Sequence, residues 1–230
     1  MQPPRPRSEQ LAIRVSSSAT VSGLLLKPER PRAGFVLAHG AGAGMRHPFM
    51  TAVAEGLYRL GIATLRYQFP YMEAGSRRPD APPVAHAAVR AAVDEAHRRL
   101  PELPWIAGGK SFGGRMTSQA QAEAPMPHVR GLAFLGFPLH PAGKPDTARA
   151  RHLSDVGVPL LFLQGERDAL ADAALLRQAA AQLGDRATLV LSPDADHSFH
   201  VPARSGRTDA QVLGEALDHF AEWLTGILER

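Results

Sequence analysis

The stretch Trp105-Ile106-Ala107-Gly108-Gly109-Lys110-Ser111-Phe112-Gly113-Gly114 decides how this chain is read. A short apolar run ends in glycines, a serine stands between Gly109 and Gly113, and polar, helix-compatible sequence follows. A serine carried on a tight strand-to-helix turn has strained backbone angles and neighbouring chain passing close by. Side chains two residues before and two residues after would collide, and glycine at both positions removes the collision. Gly108 and Gly114 widen the same clearance. A phosphate-binding loop is the competing use of Gly109-Lys110-Ser111, but Pro104 stands where its first glycine belongs. A dinucleotide loop would follow the first strand of a βαβ unit, and this one does not. Ser111 is therefore the candidate nucleophile.

Working outward, strands and helices alternate. Phe35 to Ala38, Ile62 to Leu65, Trp105 to Ala107, Leu132 to Leu135, Leu160 to Leu163 and Thr188 to Leu191 are short, apolar on both faces and bounded by Gly, Pro or charge. Buried parallel strands read this way. Leu11 to Val15 and Thr20 to Leu26 suggest an opening hairpin. Helical period appears over Phe49 to Leu60, Val84 to Leu100, Met116 to Glu123, Ala173 to Leu183, with Gly184 as its cap, and Asp209 to Leu228. The expectation is one α/β domain over residues 11–230, a mostly parallel, doubly wound sheet flanked by helices with no large cap, preceded by a disordered Pro- and Arg-rich arm over residues 1–10. Ligands bind outside the carboxyl ends of the strands in such sheets, so chemistry belongs in the loops that leave them.

Those loops hold the polar exceptions. Gln164-Gly165-Glu166-Arg167-Asp168 follows a late strand, and Asp168 is the preferred acid, with Glu166 and Asp172 as rivals and a helix N-cap as its alternative use. Asp194-Ala195-Asp196-His197-Ser198-Phe199 follows the last strand, and His197 is the preferred base over His200. The order Ser, Asp, His then matches the order in which an elbow serine finds its partners. His39-Gly40-Ala41-Gly42-Ala43-Gly44 follows the strand Phe35 to Ala38, and the N–H of Ala41 or Gly42, with that of Phe112, can form an oxyanion hole. His39 lies before the turn and is expected to be structural. Tyr67, Phe69, Tyr71, Phe137 and His140, in two further strand-end loops, are candidates for pocket lining or for packing.

Composition bounds the alternatives. The absence of cysteine excludes disulfides, thiol catalysis and cysteine zinc sites. His197 and His200 make unconvincing metal ligands without such partners, so no metal and no cofactor are expected. The net charge of +4 comes from scattered arginines rather than a basic block, which argues against nucleic acid. No apolar run reaches the ~20 residues that span a bilayer. Neither a membrane nor a secretory leader is expected, so the chain reads as cytoplasmic and acting on a small-molecule substrate.

With these residues in place, the chain resembles small α/β-hydrolases related to dienelactone hydrolase. It is similar in particular to the branch containing an animal testis-expressed protein and a subunit of the non-specific-lethal chromatin complex. The matching stretches are HGAGAGMRHPFM (39–50), RYQFPYM (66–72), GGKSFGGRM (108–116), FLGFPLHPAGKP (134–145), QGERD (164–168) and DADHSF (194–199). The resemblance implies the α/β-hydrolase fold and carries Ser111, Asp168 and His197 onto the catalytic triad positions. It implies a serine esterase-like hydrolase but brings no substrate, and the chromatin subunit makes a non-catalytic scaffold the alternative. Acyltransferase or peptidase chemistry on the same residues is a third reading. Phe112 stands where many relatives carry Met.

Overall fold

A computed structural model describes residues 6–229. Its framework is one eight-stranded sheet, β1 (Glu9–Arg14), β2 (Thr20–Leu26), β3 (Ala33–Ala38), β4 (Ile62–Tyr67), β5 (Trp105–Lys110), β6 (Val129–Leu135), β7 (Leu160–Gly165) and β8 (Ala187–Ser192), in the spatial order β1-β2-β4-β3-β5-β6-β7-β8. The opening hairpin is present as the antiparallel pair β1 and β2, and β2 pairs antiparallel with β4. From β4 through β3 to β8 every pairing is parallel. The arm expected over residues 1–10 lies outside the described residues for positions 1–5, and Glu9 and Gln10 already pair in β1.

Alternation within the strands sorts the core into two layers. Val36 and Ala38 of β3 face the layer covered by α3 (Pro82–Arg99), α4 (Phe112–Glu123) and α5 (Ala173–Gln182). Phe35 and Leu37 face the opposite layer, closed by α1 (Pro48–Arg59) and α6 (Asp209–Leu228). Successive side chains of a strand point to opposite faces, so a strand buried on both sides must be apolar throughout, as β3 is. The helices are bounded by local chemistry. The Thr208 hydroxyl accepts from Gln211 N–H while the Gln211 side chain returns to Thr208 N–H, and Gly184 ends α5 in the left-handed region at φ 60°. A further short helix, α2 (Pro70–Glu73), begins at a proline too close to the strand for periodicity to reveal it.

The chain winds outward from β3 in both directions, to β4 on one side and to β5 on the other. That is the topological switch point, where loops diverge and leave a crevice above the strand ends. The loops after β3 and β5 flank it.

Candidate functional site

The elbow is built as its glycines require. β5 runs to Lys110, Ser111 sits at φ 49° and ψ −114°, and α4 begins at the next residue. A non-glycine residue at positive φ is strained and persists only where its surroundings hold it. A Cβ at Gly113 would lie 2.6 Å from the His39 carbonyl oxygen. One at Gly109 would strike the Ala38 carbonyl, and one at Gly108 the Ala133 carbonyl, so β5 is gripped by β3 and β6. The helix expected from Met116 starts four residues earlier, at Phe112. Glycine's poor helix propensity disguises Gly113 and Gly114 as turn, when both are needed for clearance inside the first helical turn.

Asp168 is almost wholly buried, with a side chain 0% exposed. Its Oδ2 accepts from His197 Nδ1 at 2.6 Å and from the Gln164 amide, and its Oδ1 accepts from Leu170 N–H at 2.7 Å. The rivals are used elsewhere. Asp172 caps α5, accepting from Leu175 N–H at 2.9 Å, and Glu166 reaches Arg177 at the surface. His200 is exposed and pairs with Asp209 at 3.0 Å.

The loop that presents His197 is tied from several sides. Asp196 Oδ1 accepts from Ser198 N–H at 2.7 Å and from His200 N–H at 3.0 Å, and Asp194 and Phe199 bend the chain at positive φ. Arg167 N–H donates to Ala195 O at 2.8 Å, which joins the acid loop to this one. The Lys110 ammonium donates to the His197 carbonyl and lies 5.6 Å and 5.8 Å from the ring centres of Phe49 and Phe199. Burial pushes the Lys110 pKa down to about 8, against the pull of Asp168 and Asp196. Only one ring nitrogen of His197 has a hydrogen-bond partner among the described residues, and Ser111 Oγ has none.

Ser111, Phe112 and Ala41 line an open cavity of about 360 Å³ together with Asp80, Arg115 and Arg149. Phe112 is the first residue of α4, so its N–H has no partner within the helix. Of the other two candidate oxyanion donors, Gly42 N–H already donates to Tyr71 Oη at 3.3 Å, whereas Ala41 is on the cavity wall. The five side chains considered for pocket lining are not on that wall. Tyr67, Phe69 and Phe137 are fully buried, and Tyr71 nearly so. Phe69 meets the Phe112 ring edge-on at 5.2 Å, so this group forms a floor beneath the elbow. His140 is buried and spends both ring nitrogens, on Pro141 O at 2.9 Å and on Asp172 N–H at 2.8 Å. Large apolar side chains leaving a strand gain more by packing than by facing solvent in an open pocket.

Sequence reasoning missed Gln164, Lys110, Asp80, Arg115 and Arg149. Gln164 carried a usable signal, a polar residue closing the apolar run Leu160 to Leu163. Fully buried, it must be hydrogen-bonded, and it holds Asp168 with its amide group while accepting from Phe137 N–H at 2.7 Å.

A family model described as an alpha/beta hydrolase domain matches residues 31–225. Among solved structures, a lidless α/β serine hydrolase from Xanthomonas campestris superposes with a TM-score of 0.70 at 21% identity, over 93% of this chain and 95% of that one. The dienelactone hydrolase of Anabaena variabilis gives 0.71 at 23%, over 94% and 98%. Two curated relatives from Mycobacterium tuberculosis strains, both named putative phosphoribosyl transferase, are 30% identical over 225 residues, 96% of this chain. The chain spans about half the length of these relatives, 47%. No helix among the described residues is long and apolar enough to cross a membrane.

Proposed function

Because the chain belongs to the α/β-hydrolase family, we propose that it is a serine hydrolase that cleaves an ester or related carbonyl of a small molecule through an acyl-enzyme on Ser111. The observation that carries this reading is the 2.6 Å bond from His197 Nδ1 to the buried Asp168 carboxylate, which leaves Nε2 to act as base. Asp168 fixes the tautomer and the orientation of the ring, and Gln164 and Leu170 N–H fix Asp168.

In the first half-reaction Ser111 Oγ bonds to the carbonyl carbon as its proton passes to His197 Nε2. The carbonyl oxygen becomes an oxyanion facing Ala41 N–H and Phe112 N–H, the latter at the positive end of α4. Collapse breaks the bond to the leaving alcohol, which takes the proton from His197. Water then repeats the sequence on the acyl-enzyme and releases the acid. No metal or organic cofactor enters this scheme.

A fluorophosphonate probe tests it without knowledge of the substrate, since only an activated serine reacts. A single adduct on Ser111 is expected by intact-protein mass, absent in Ser111→Ala and strongly slowed in His197→Ala. A folded protein that takes no adduct and turns over no short-chain aryl ester would instead be the non-catalytic scaffold.

A further inference from the structure

Lys110 precedes the candidate nucleophile, yet it does not line the cavity that holds Ser111. Alternation along β5 sends its side chain to the same face as Ile106, into the layer closed by α1 and α6. There the ammonium lies beside the rings of Phe49 and Phe199 and donates to the His197 carbonyl. Among the described residues this is the one hydrogen bond that joins residues 105–116 to residues 194–200. The side chain makes no other hydrogen bond and no ion pair among the described residues, although Asp168 and Asp196 lie close enough to favour its charge. Gly136, at φ 72°, leaves room for the bridge: a Cβ there would lie 2.7 Å from Lys110 Nζ and 3.2 Å from His197 O. Asp168 therefore sets the ring of His197, while Lys110 sets the main chain that carries it, from the strand that carries Ser111.

We propose that Lys110 is a positioning residue for the base: its protonated amine ties the main chain of His197 to the nucleophile's strand, and loss of that proton frees the loop and switches the site off. A charge-assisted hydrogen bond is roughly twice as strong as a neutral one, and the attraction of a cation to the two rings disappears with the charge. Burial already lowers the pKa of Lys110 to about 8, so the proton is lost as pH rises through that value. The titratable groups that face the ammonium are Asp168, in the loop after β7, and Asp196 and His197, in the loop after β8, and both carboxylates favour its charge. Phe49 of α1 and the backbone of Gly40 and Gly136, in the loops after β3 and β6, also pack against it and carry no charge. The role rests on the hydrolase reading, whereas the bridge itself can be seen without turnover.

The test pairs a pH profile with a direct view of the amine. The chain's other lysines, Lys27 and Lys144, are exposed, so NMR on protein with isotope-labelled lysine follows Lys110 against two references. Lys110 is expected to titrate with a midpoint of about 8, and kcat/KM on para-nitrophenyl acetate should fall through the same midpoint. Lys110→Met keeps the stem and drops the charge. It should lower kcat at neutral pH by roughly 10–100-fold with KM within about twofold, and it should lack the falling limb. Lys110→Arg, whose guanidinium stays charged, should recover most of kcat and also lack that limb. Circular dichroism at each pH confirms that the proteins are folded, and if Lys110→Met does not fold, the two wild-type midpoints decide alone. Amide exchange reads the bridge apart from catalysis: residues 194–200 should exchange about tenfold faster in Lys110→Met than in wild type, with residues 105–109 unchanged. A faster loop with no fluorophosphonate adduct and no ester turnover would keep the bridge and discard the hydrolase. A falling limb that survives in Lys110→Met, or a Lys110 that stays protonated through it, would discard the role of Lys110 and keep the hydrolase.

Discussion

His39 and His197 occupy comparable stations, each in a loop just past a parallel strand at the carboxyl edge of the sheet, yet their ring nitrogens are spent differently. His39 is fully buried, with Nδ1 on Gly40 O at 2.8 Å and Nε2 accepting from Phe69 N–H at 3.1 Å. Both nitrogens are committed to backbone, and burial pushes the ring pKa down to about 4, so it stays neutral and joins the loop after β3 to the loop after β4. His197 keeps one nitrogen on Asp168 and leaves the other without a partner among the described residues. The two aspartates of the neighbouring loop also differ: Asp172 is committed to a helix cap, whereas Asp168 serves the Leu170 N–H with Oδ1 and keeps Oδ2 for the side chains of His197 and Gln164. Proximity to a strand end is shared by all four residues. What separates a candidate catalytic group from a structural one is the atom left over after the backbone has been served.

Three experiments would break or sharpen this contrast. The largest effect is expected at the base: His197→Ala should lower kcat on an aryl ester by roughly 10⁵-fold or more, whereas His200→Ala should stay within about twofold, read by steady-state kinetics. Loss on the His200 side would reverse the assignment. Next is the acid. Asp168→Asn should lower kcat by roughly 10³–10⁴ with little change in KM, because it disturbs the tautomer more than the binding of substrate. Asp172→Ala should instead cost about 1 kcal/mol of capping energy, read as a lower melting temperature. Equal kinetic losses in the two would end the distinction between them.

The third experiment reads His39 through stability. Its folded pKa, about 4, lies below the ~6.5 of an unfolded chain. Between those values the unfolded state binds the proton that the folded state refuses, so stability falls as pH drops from about 6.5 towards about 4. The full effect is on the order of 3 kcal/mol. His152, held near the same value by burial, adds its own slope, so the informative quantity is the difference between wild type and His39→Gln in denaturant titrations across that range. Parallel curves would show that His39 is not the buried neutral group described.

Much of the framework follows from short-range rules. Parallel strands buried on both faces must be apolar runs, and the bracket Gly109 and Gly113 around Ser111 has a steric cause local to the turn. Asp168 and His197 were accessible by chain order, because the fold delivers successive strand ends to one edge. The cavity wall was not. Arg115 and Arg149 come from a helix and a 3-10 segment far apart in sequence, and which of the chain's scattered arginines converge is decided by how those segments pack. The aromatic loop residues misled for the same reason: Phe69 and Tyr71 look like a pocket in one dimension and are its foundation in three.

The position of β8 has a consequence for how such a machine wears out. Ser111 hangs from a central strand clamped by neighbours on both sides, but His197 follows β8, which among the described residues has a strand on one side only. Outer strands open in small fluctuations that never touch the middle of a sheet. Warming should therefore disconnect the proposed base, His197, from the proposed nucleophile, Ser111, while most of the protein is still folded, and cooling should restore it. Amide exchange ought to reveal this as faster labelling of residues 187–200 than of 105–116, beginning at temperatures where activity is already fading and the global transition has yet to start.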